Sequence, residues 1–424
     1  MSLVPKIVRV ILALVFSVSL PLLARGADLP QFSKGINLAR LHNLAHRDPE
    51  RPGKFLWPPF RGDLAKVSDA ELKQLKDLGF DFIRLPVAPA PFLTVTEAES
   101  RILTDKLFDT VKRLQDHGFA VLLDPHPGHG GARFSAPRIL SSPSNEEFEA
   151  YLQWLEGLAR HMRRLPGRKS ALGLMNEPQA DCHHLVSTDW TDIQPLLYRA
   201  VRDVAPDLAV VLTGGCWSSH RALGYLDMAP YDENTIVDVH YYSPHYFTHQ
   251  ALPFASEPTR YLAGLAYPGA DGNIDETLRL TEEHIAHMRR TRPERVADDA
   301  LSQAKAAISR YYDDPPPVDR AYISGHFDII RRWAGAQNVD PARIVIGEFG
   351  AARPPAGLPA IPGRNAWIRD VREEAEASGF AWAYWDYNAG SGYPGFGLVF
   401  DNESRTIDPD MVKALGLDET AISR

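Results

Sequence analysis

The chain has almost no cysteine. Two residues, Cys182 and Cys216, serve 424 positions. Both follow candidate strand ends, so they either form one disulfide or stand as two small apolar side chains. No grouping of His, Cys and Asp has metal-ligand spacing, and no metal site is expected. No Gly-rich loop follows the first candidate strand, which removes the usual cradle for a nucleotide phosphate. An excess of positive charge is also missing. Lys and Arg number 46 against 54 Asp and Glu, a net of -8, so the basic footprint of a nucleic-acid binder is absent. Internal repeats and low-complexity tracts are lacking.

Long apolar runs are lacking too, except at the start. Lys6 and Arg9 precede an apolar stretch from Val10 to Leu23, and Ala24-Arg25-Gly26 offers the small residues a signal peptidase reads. The expectation is a secretory signal over residues 1–26, cut after Gly26 or, as the alternative, after Ala27. The run is short for a span, which needs about 20 apolar residues. An exported protein with no stable membrane span after signal removal follows.

What is present is an alternation of short apolar runs and longer amphipathic stretches. Eight candidate strands are Lys34 to Leu38, Phe80 to Pro86, Ala120 to Asp124, Ala171 to Met175, Ala209 to Thr213, Ile236 to His240, Arg343 to Gly347 and Phe380 to Trp385. Helices fill the gaps. Ser68 to Glu71 reads as a capping box, and Gly79 closes that helix. Further helices are expected over Thr104 to His117, Glu146 to Arg164, Ile193 to Val204, His326 to Ala336 and Asn365 to Ser378. Eight such units predict parallel strands closed into a (β/α)8 TIM barrel, one catalytic domain over 27–424. About 100 residues separate the sixth and seventh strands, far beyond an ordinary βα loop. Residues 243–317 are expected to form an elaborated insertion over the barrel mouth, helical at Ile274 to Arg290 and Val296 to Tyr311. A small separate domain is the alternative.

Polar and aromatic residues crowd the ends of these strands, where barrel active sites lie. Arg84 closes the second strand and His126 follows the third. Asn176-Glu177-Pro178 follows the fourth, His240-Tyr241-Tyr242 the sixth, Glu348-Phe349-Gly350 the seventh, and Trp385 the eighth. Singly, each has a plain structural reading. Together they suggest glycoside hydrolysis, which needs one carboxylic acid at the leaving oxygen and a second carboxylate at the anomeric carbon. Glu177 and Glu348 stand on strands that face one another across a closed barrel. Arg84 is the natural cation to keep one of them ionised, Tyr242 to orient the nucleophile, and His240 to sustain the acid. Asn176 is placed to grip a sugar hydroxyl, and Trp385 to floor a pyranose. Trp57, Trp190, Trp217 and Tyr246 are weaker candidates for subsite walls, and His129 for a substrate contact.

The whole set resembles glycoside hydrolase family 5, the cellulase-like family of clan A barrels, along roughly Phe32 to Phe400. The resemblance rests on Gly35-Ile36-Asn37-Leu38, on Gly79 to Pro86, on Leu123 to Pro127, on Leu174 to Pro178, on His240-Tyr241-Tyr242, on Ile346 to Gly350, and on Ala383-Tyr384-Trp385. It implies a retaining double displacement with Glu177 as acid/base and Glu348 as nucleophile. The substrate-binding positions it fills are Arg84, His126, Asn176, His240, Tyr242 and Trp385. It implies no metal and no organic cofactor, and a polysaccharide or oligosaccharide partner. A β-glucan is the leading substrate, cut in an endoglucanase-like way. The alternatives are a transglycosylase or exo-β-glucanase acting on the producer's own polysaccharide, and, in another class, an inactive sugar-binding barrel.

Overall fold

The computed structural model describes residues 29–128, 132–165, 167, 169–179, 190–390 and 395–423. The expected signal segment, His129 and Cys182 lie outside the described residues. Eight parallel strands close in sequence order into a barrel. They are β1 (Lys34–Asn37), β2 (Phe82–Val87), β3 (Ala120–Pro125), β4 (Ser170–Gly173), β5 (Ala209–Thr213), β6 (Thr235–Tyr241), β7 (Ile344–Phe349) and β8 (Ala381–Tyr384). β1 pairs with both β2 and β8, which closes the ring. All eight candidate strands are present, with ends moved by a residue or two.

The longer helices are α1 (Asp69–Asp77), α2 (Glu97–Asp116), α3 (Glu146–Met162), α4 (Trp190–Val204), α5 (Ile274–Thr291), α6 (Ala300–Asp313), α7 (Arg320–Gln337) and α8 (Arg364–Ala377). Ser68 accepts from the Glu71 amide while Glu71 accepts from the Ser68 amide, which is the capping box expected for α1. α2 starts seven residues earlier than its apolar stripe suggests. Thr96 and Glu99 form a second reciprocal box that fixes its true start. The unit after β5 departs from the pattern, because a four-residue turn, Gly215–Ser218, and a short 3-10 segment, His220–Tyr225, stand where a full helix is usual.

Side chains on a strand alternate between two faces, so residues two apart point the same way. The inward faces are apolar at the base of the barrel and polar at its mouth. Phe82, Leu122, Ile236, Val345, Ala381 and Ala383 fill the base as one buried cluster, with Phe32 packed beneath. Phe32 stacks on Phe82 with ring centroids 4.5 Å apart. Gly35 of β1 leaves the room for the Phe82 ring that any Cβ would take. Two residues further up β2, β3 and β6 the chemistry changes, to Arg84, to Asp124, and to Asp238 and then His240.

The long connection after β6 carries α5 and α6, close to their expected ranges. Its buried residues Leu265, Tyr267, Ile285, Ala304 and Ile308 belong to the same hydrophobic cluster as Phe327 of α7 and Trp367 of α8. Tyr267 donates to Asp370 at 2.8 Å, and the Trp367 indole donates to the Ser243 carbonyl at 3.2 Å. The insertion therefore shares the core that backs the barrel.

Candidate active site

Arg84 organises the mouth of the barrel. It is fully buried on β2. Its Nη1 donates to Glu348 Oε1 at 2.6 Å and to Asn37 Oδ1 at 3.0 Å. Its Nη2 donates to Asn176 Oδ1 at 2.6 Å and lies 3.0 Å from Asp124 Oδ2. Asp238 Oδ2 stands 3.5 Å from Nε. Burial opposes the guanidinium charge, but Asp124, Glu348 and Asp238 together raise its pKa further. One buried cation thus faces three carboxylates, and its planar fork fixes their directions.

Glu348 reaches the mouth through a strand irregularity. Val239 pairs with Ile346, but His240 pairs with Glu348, which leaves Gly347 as an extra residue on β7. Its amide donates to Asp238 Oδ1 at 2.9 Å. A Cβ on Gly347 would collide with the Asp238 carboxylate. This bulge turns Glu348 inward beside His240. Tyr242 donates to Glu348 Oε2 at 3.0 Å, so each carboxylate oxygen has its own donor. Burial lifts the Glu348 pKa above its ordinary value, against the pull of His240 and Arg84. Arg84 therefore restrains that rise without cancelling it.

Glu177 comes from the turn after β4. Its φ of 44° is left-handed, an uncommon state for a residue with a side chain. Its side chain is 16% exposed against 5% for Glu348. His240 Nδ1 stands 2.8 Å from Glu177 Oε1. The other ring nitrogen, Nε2, has two competing neighbours. Arg84 Nη2 at 3.2 Å is a hydrogen-bond donor only to an unprotonated nitrogen, while Asp238 Oδ2 at 3.5 Å attracts a protonated one. Burial opposes the imidazolium, but Glu348, Asp238 and Glu177 outweigh it and push His240 up to about 10. The charged ring donates Nδ1–H to Glu177 and turns Nε2–H toward Asp238.

His126 and Asn176 complete a relay of orientations. Asp124 Oδ2 stands 3.2 Å from His126 Nδ1, and His126 Nε2 stands 3.2 Å from Asn176 Nδ2. A carboxylate only accepts, so Nδ1 carries the proton and Nε2 accepts from the Asn176 amide. That leaves Asn176 Oδ1 for Arg84, which fixes the amide orientation. Trp385 stacks on His126 with centroids 5.9 Å apart and planes 20° apart. Trp385 and Tyr242 in turn pack against a small cluster that Leu252 and Ala255 of the insertion form with Ala352 and Phe396.

All eight residues singled out in the sequence thus gather at one mouth. Three more were not singled out there: Asn37, Asp124 and Asp238. For the two aspartates the signal is parity, since Asp124 lies two residues before His126 and Asp238 two before His240. Among the weaker candidates, Trp57 and Trp217 are 42% and 43% exposed on the loops after β1 and β5. Trp217 sits on a run of three left-handed residues, Cys216 to Ser218, and its amide donates to the Pro178 carbonyl at 3.1 Å. Trp190 is a correction. It is buried at the start of α4, with its indole donating to the Thr213 carbonyl at 2.8 Å, so it packs the core. Tyr246 is half-buried and accepts from Arg310. Cys216 is disulfide-bonded, and the only other cysteine of the chain is Cys182.

One atom each of Glu177, His240 and Glu348 lie within 4.8 Å of one another, the spacing of a metal site. The same atoms are already engaged: His240 Nδ1 by Glu177, and Glu348 by Arg84 and Tyr242. Two cationic side chains occupy the place where a metal would bring its charge, so the donor set does not suit one.

Comparison with known proteins bears on the family and the fold. The sequence profile described as "Cellulase (glycosyl hydrolase family 5)" matches residues 57–391. Cellodextrinase A of Ruminococcus flavefaciens is 24% identical over 230 residues, which is 53% of this chain and 62% of that protein. The chain thus spans less than two thirds of that relative's length. Cellulose synthase subunit Z of Clostridioides difficile superposes with a TM-score of 0.61 at 23% identity, over 91% of this chain and 99% of the other. Thermotoga maritima Cel5A, described in complex with cellobiose, gives 0.60 at 19% identity, over 91% and 97%. Those structural likenesses show the fold. No helix among the described residues is long and apolar enough to cross a membrane. With its closed barrel and a profile match along most of its length, this chain belongs to glycosyl hydrolase family 5.

Proposed function

We propose that the protein is an exported retaining β-glycoside hydrolase that cuts a β-linked glucan within the chain. The observation that carries this is the pairing of two glutamates with different partners. An oxygen of Glu177 approaches an oxygen of Glu348 within 4.8 Å. A retaining pair stands about 5–5.5 Å apart, and an inverting pair about 6.5–9.5 Å. The close approach supports the retaining course.

The roles follow from the partners. Glu348, oriented by Arg84 and Tyr242, attacks the anomeric carbon as a carboxylate. Glu177, the more exposed of the two, donates its proton to the leaving oxygen, and the bond from that oxygen to the sugar breaks. The sugar is then an ester of Glu348. Glu177, now a carboxylate, takes a proton from water, whose oxygen displaces Glu348 and restores both groups. His240 steadies Glu177 in both of its states. Asn176 faces the same centre, where a bond to a sugar hydroxyl would strengthen as positive charge develops. Trp385 offers a flat surface for the ring.

The cellodextrinase relative and the cellobiose complex of the Thermotoga enzyme support a β-linked glucose polymer. Export is supported by the apolar run behind Lys6 and Arg9 and by the disulfide at Cys216, since disulfides persist in oxidising compartments. The decisive test uses an activated aryl β-glycoside. Glu348→Ala is expected to lose turnover and to regain it with azide, yielding the α-glycosyl azide. Glu177→Ala with azide is expected to yield the β-glycosyl azide. Undiminished hydrolysis by Glu348→Ala overturns the assignment.

A further inference from the structure

The loop between β1 and α1 forms a small pocket of about 220 Å3. Arg40, Asn43, Leu44, His46, Phe60 and Arg61 are among the residues that line it. Every ionisable group in that lining is basic, and no carboxylate lines it among the described residues. The chain carries more acidic than basic residues, so this lining is not a sample of its general surface. Arg61 donates to the Trp57 carbonyl at 3.4 Å, a neutral partner, so that bond leaves its charge uncompensated. Trp57 itself, on the same loop, is 42% exposed.

The pocket lies on the loop that leaves β1 at the catalytic mouth, and Arg40 stands three residues after Asn37, which accepts from Arg84. Asp386, directly after Trp385, is buried and feels the charges of both Arg40 and Glu348.

We propose that this pocket takes the carboxylate of an acidic sugar, or of an acidic group attached to a sugar, on the glycan held at Glu177 and Glu348. A pyranose lying on the open face of Trp57 would present a ring-borne carboxylate to Arg61 and His46. A guanidinium fork matches such a carboxylate, and an alcohol gains much less from it. A neutral glucan leaves these side chains in water, so it is bound, but less tightly. The inference rests on the glycosidase reading and adds a substrate class to it.

The test measures binding by calorimetry on Glu348→Gln protein, which holds the glycan without cutting it. The probes are carboxymethylated cello-oligosaccharides and unmodified ones of the same length. The carboxymethylated probe is expected to bind about tenfold tighter, with the advantage lost in Arg61→Gln/His46→Gln and reduced by about 0.5 M NaCl. Equal affinity for the two probes, or an advantage that survives the double substitution, overturns the proposal. The azide experiment with the aryl glycoside reports separately on the glycosidase reading, so the two can fail independently.

Discussion

Arg84 donates to Glu348 at 2.6 Å from a position with no solvent exposure, and it does so while also facing Asp124 and Asp238. The contact is therefore structural and chemical at once. Arg84→Met removes the one cation shared by three buried carboxylates, and His240 then faces Asp238 and Glu348 alone. Removing one partner of a buried ion pair costs about 3–5 kcal/mol, and chemical denaturation should show a loss of at least that order. Arg84→Lys keeps the charge but loses the fork, so it should fold and still lose most of kcat.

Tyr242→Phe removes one donor from Glu348 and leaves the ring. A hydrogen bond to a charged group is worth about 1.5–3 kcal/mol, so kcat/KM should fall about 10- to 100-fold. A donor to the carboxylate form lowers its pKa. Its loss should move the acidic limb of the kcat/KM profile to higher pH. A fall in activity with an unmoved limb would show that Tyr242 serves packing alone.

His240 predicts a pH window for stability. Its pKa is raised from 6.5 to about 10 in the folded state. The folded state binds this proton more tightly than the unfolded state does. The stabilisation is therefore complete below pH 6.5 and is lost as pH rises toward 10. Thermal midpoints measured across that range should decline, and His240→Asn should flatten the decline. An equal slope in the variant would assign the effect elsewhere.

Gly347→Ala should be disproportionately harmful for the addition of one methyl group. The new Cβ collides with Asp238, whose other neighbours are Arg84 and His240. Overpacking of this kind costs about 1–3 kcal/mol. The variant should show a lower melting temperature and a larger loss of kcat than of substrate affinity. An unchanged kcat would mean that Glu348 is aimed by something other than the bulge.

Reduction of the disulfide at Cys216 should release the left-handed run beneath Trp217. Losing a native disulfide of this kind costs about 2–4 kcal/mol. The melting temperature of the native protein should fall in reductant, and that of Cys216→Ser should not respond to it.

The strands and the polar groups at their upper ends were legible in the sequence because both obey short-range rules. Apolar alternation marks a strand, and the residue after it lies at the mouth. Glu177, Glu348 and their six neighbours could be named on that basis. What could not be read was who touches whom. The sequence offers Arg84 several carboxylates, and only closure of the barrel directs it to Glu348, Asp124 and Asp238. The start of α2 was misjudged because Thr96 and Glu99 lie ahead of its apolar stripe. The bulge at Gly347 was invisible, since Val-Ile-Gly-Glu-Phe reads as an ordinary strand until its neighbour's register is known. Trp190 was misjudged because an exposed and a buried tryptophan look the same in one dimension.

The insertion after β6 shares its core with α7 and α8, and its His249 packs against the ring of Tyr242. It is a buttress, and it cannot be trimmed away as an accessory would be. A shortened version would uncover Trp367 and Phe327 to water while also withdrawing the ring packed against Tyr242. Changes meant to widen the mouth would therefore do better to begin at the loops after β1 and β5, where Trp57 and Trp217 are 42% and 43% exposed.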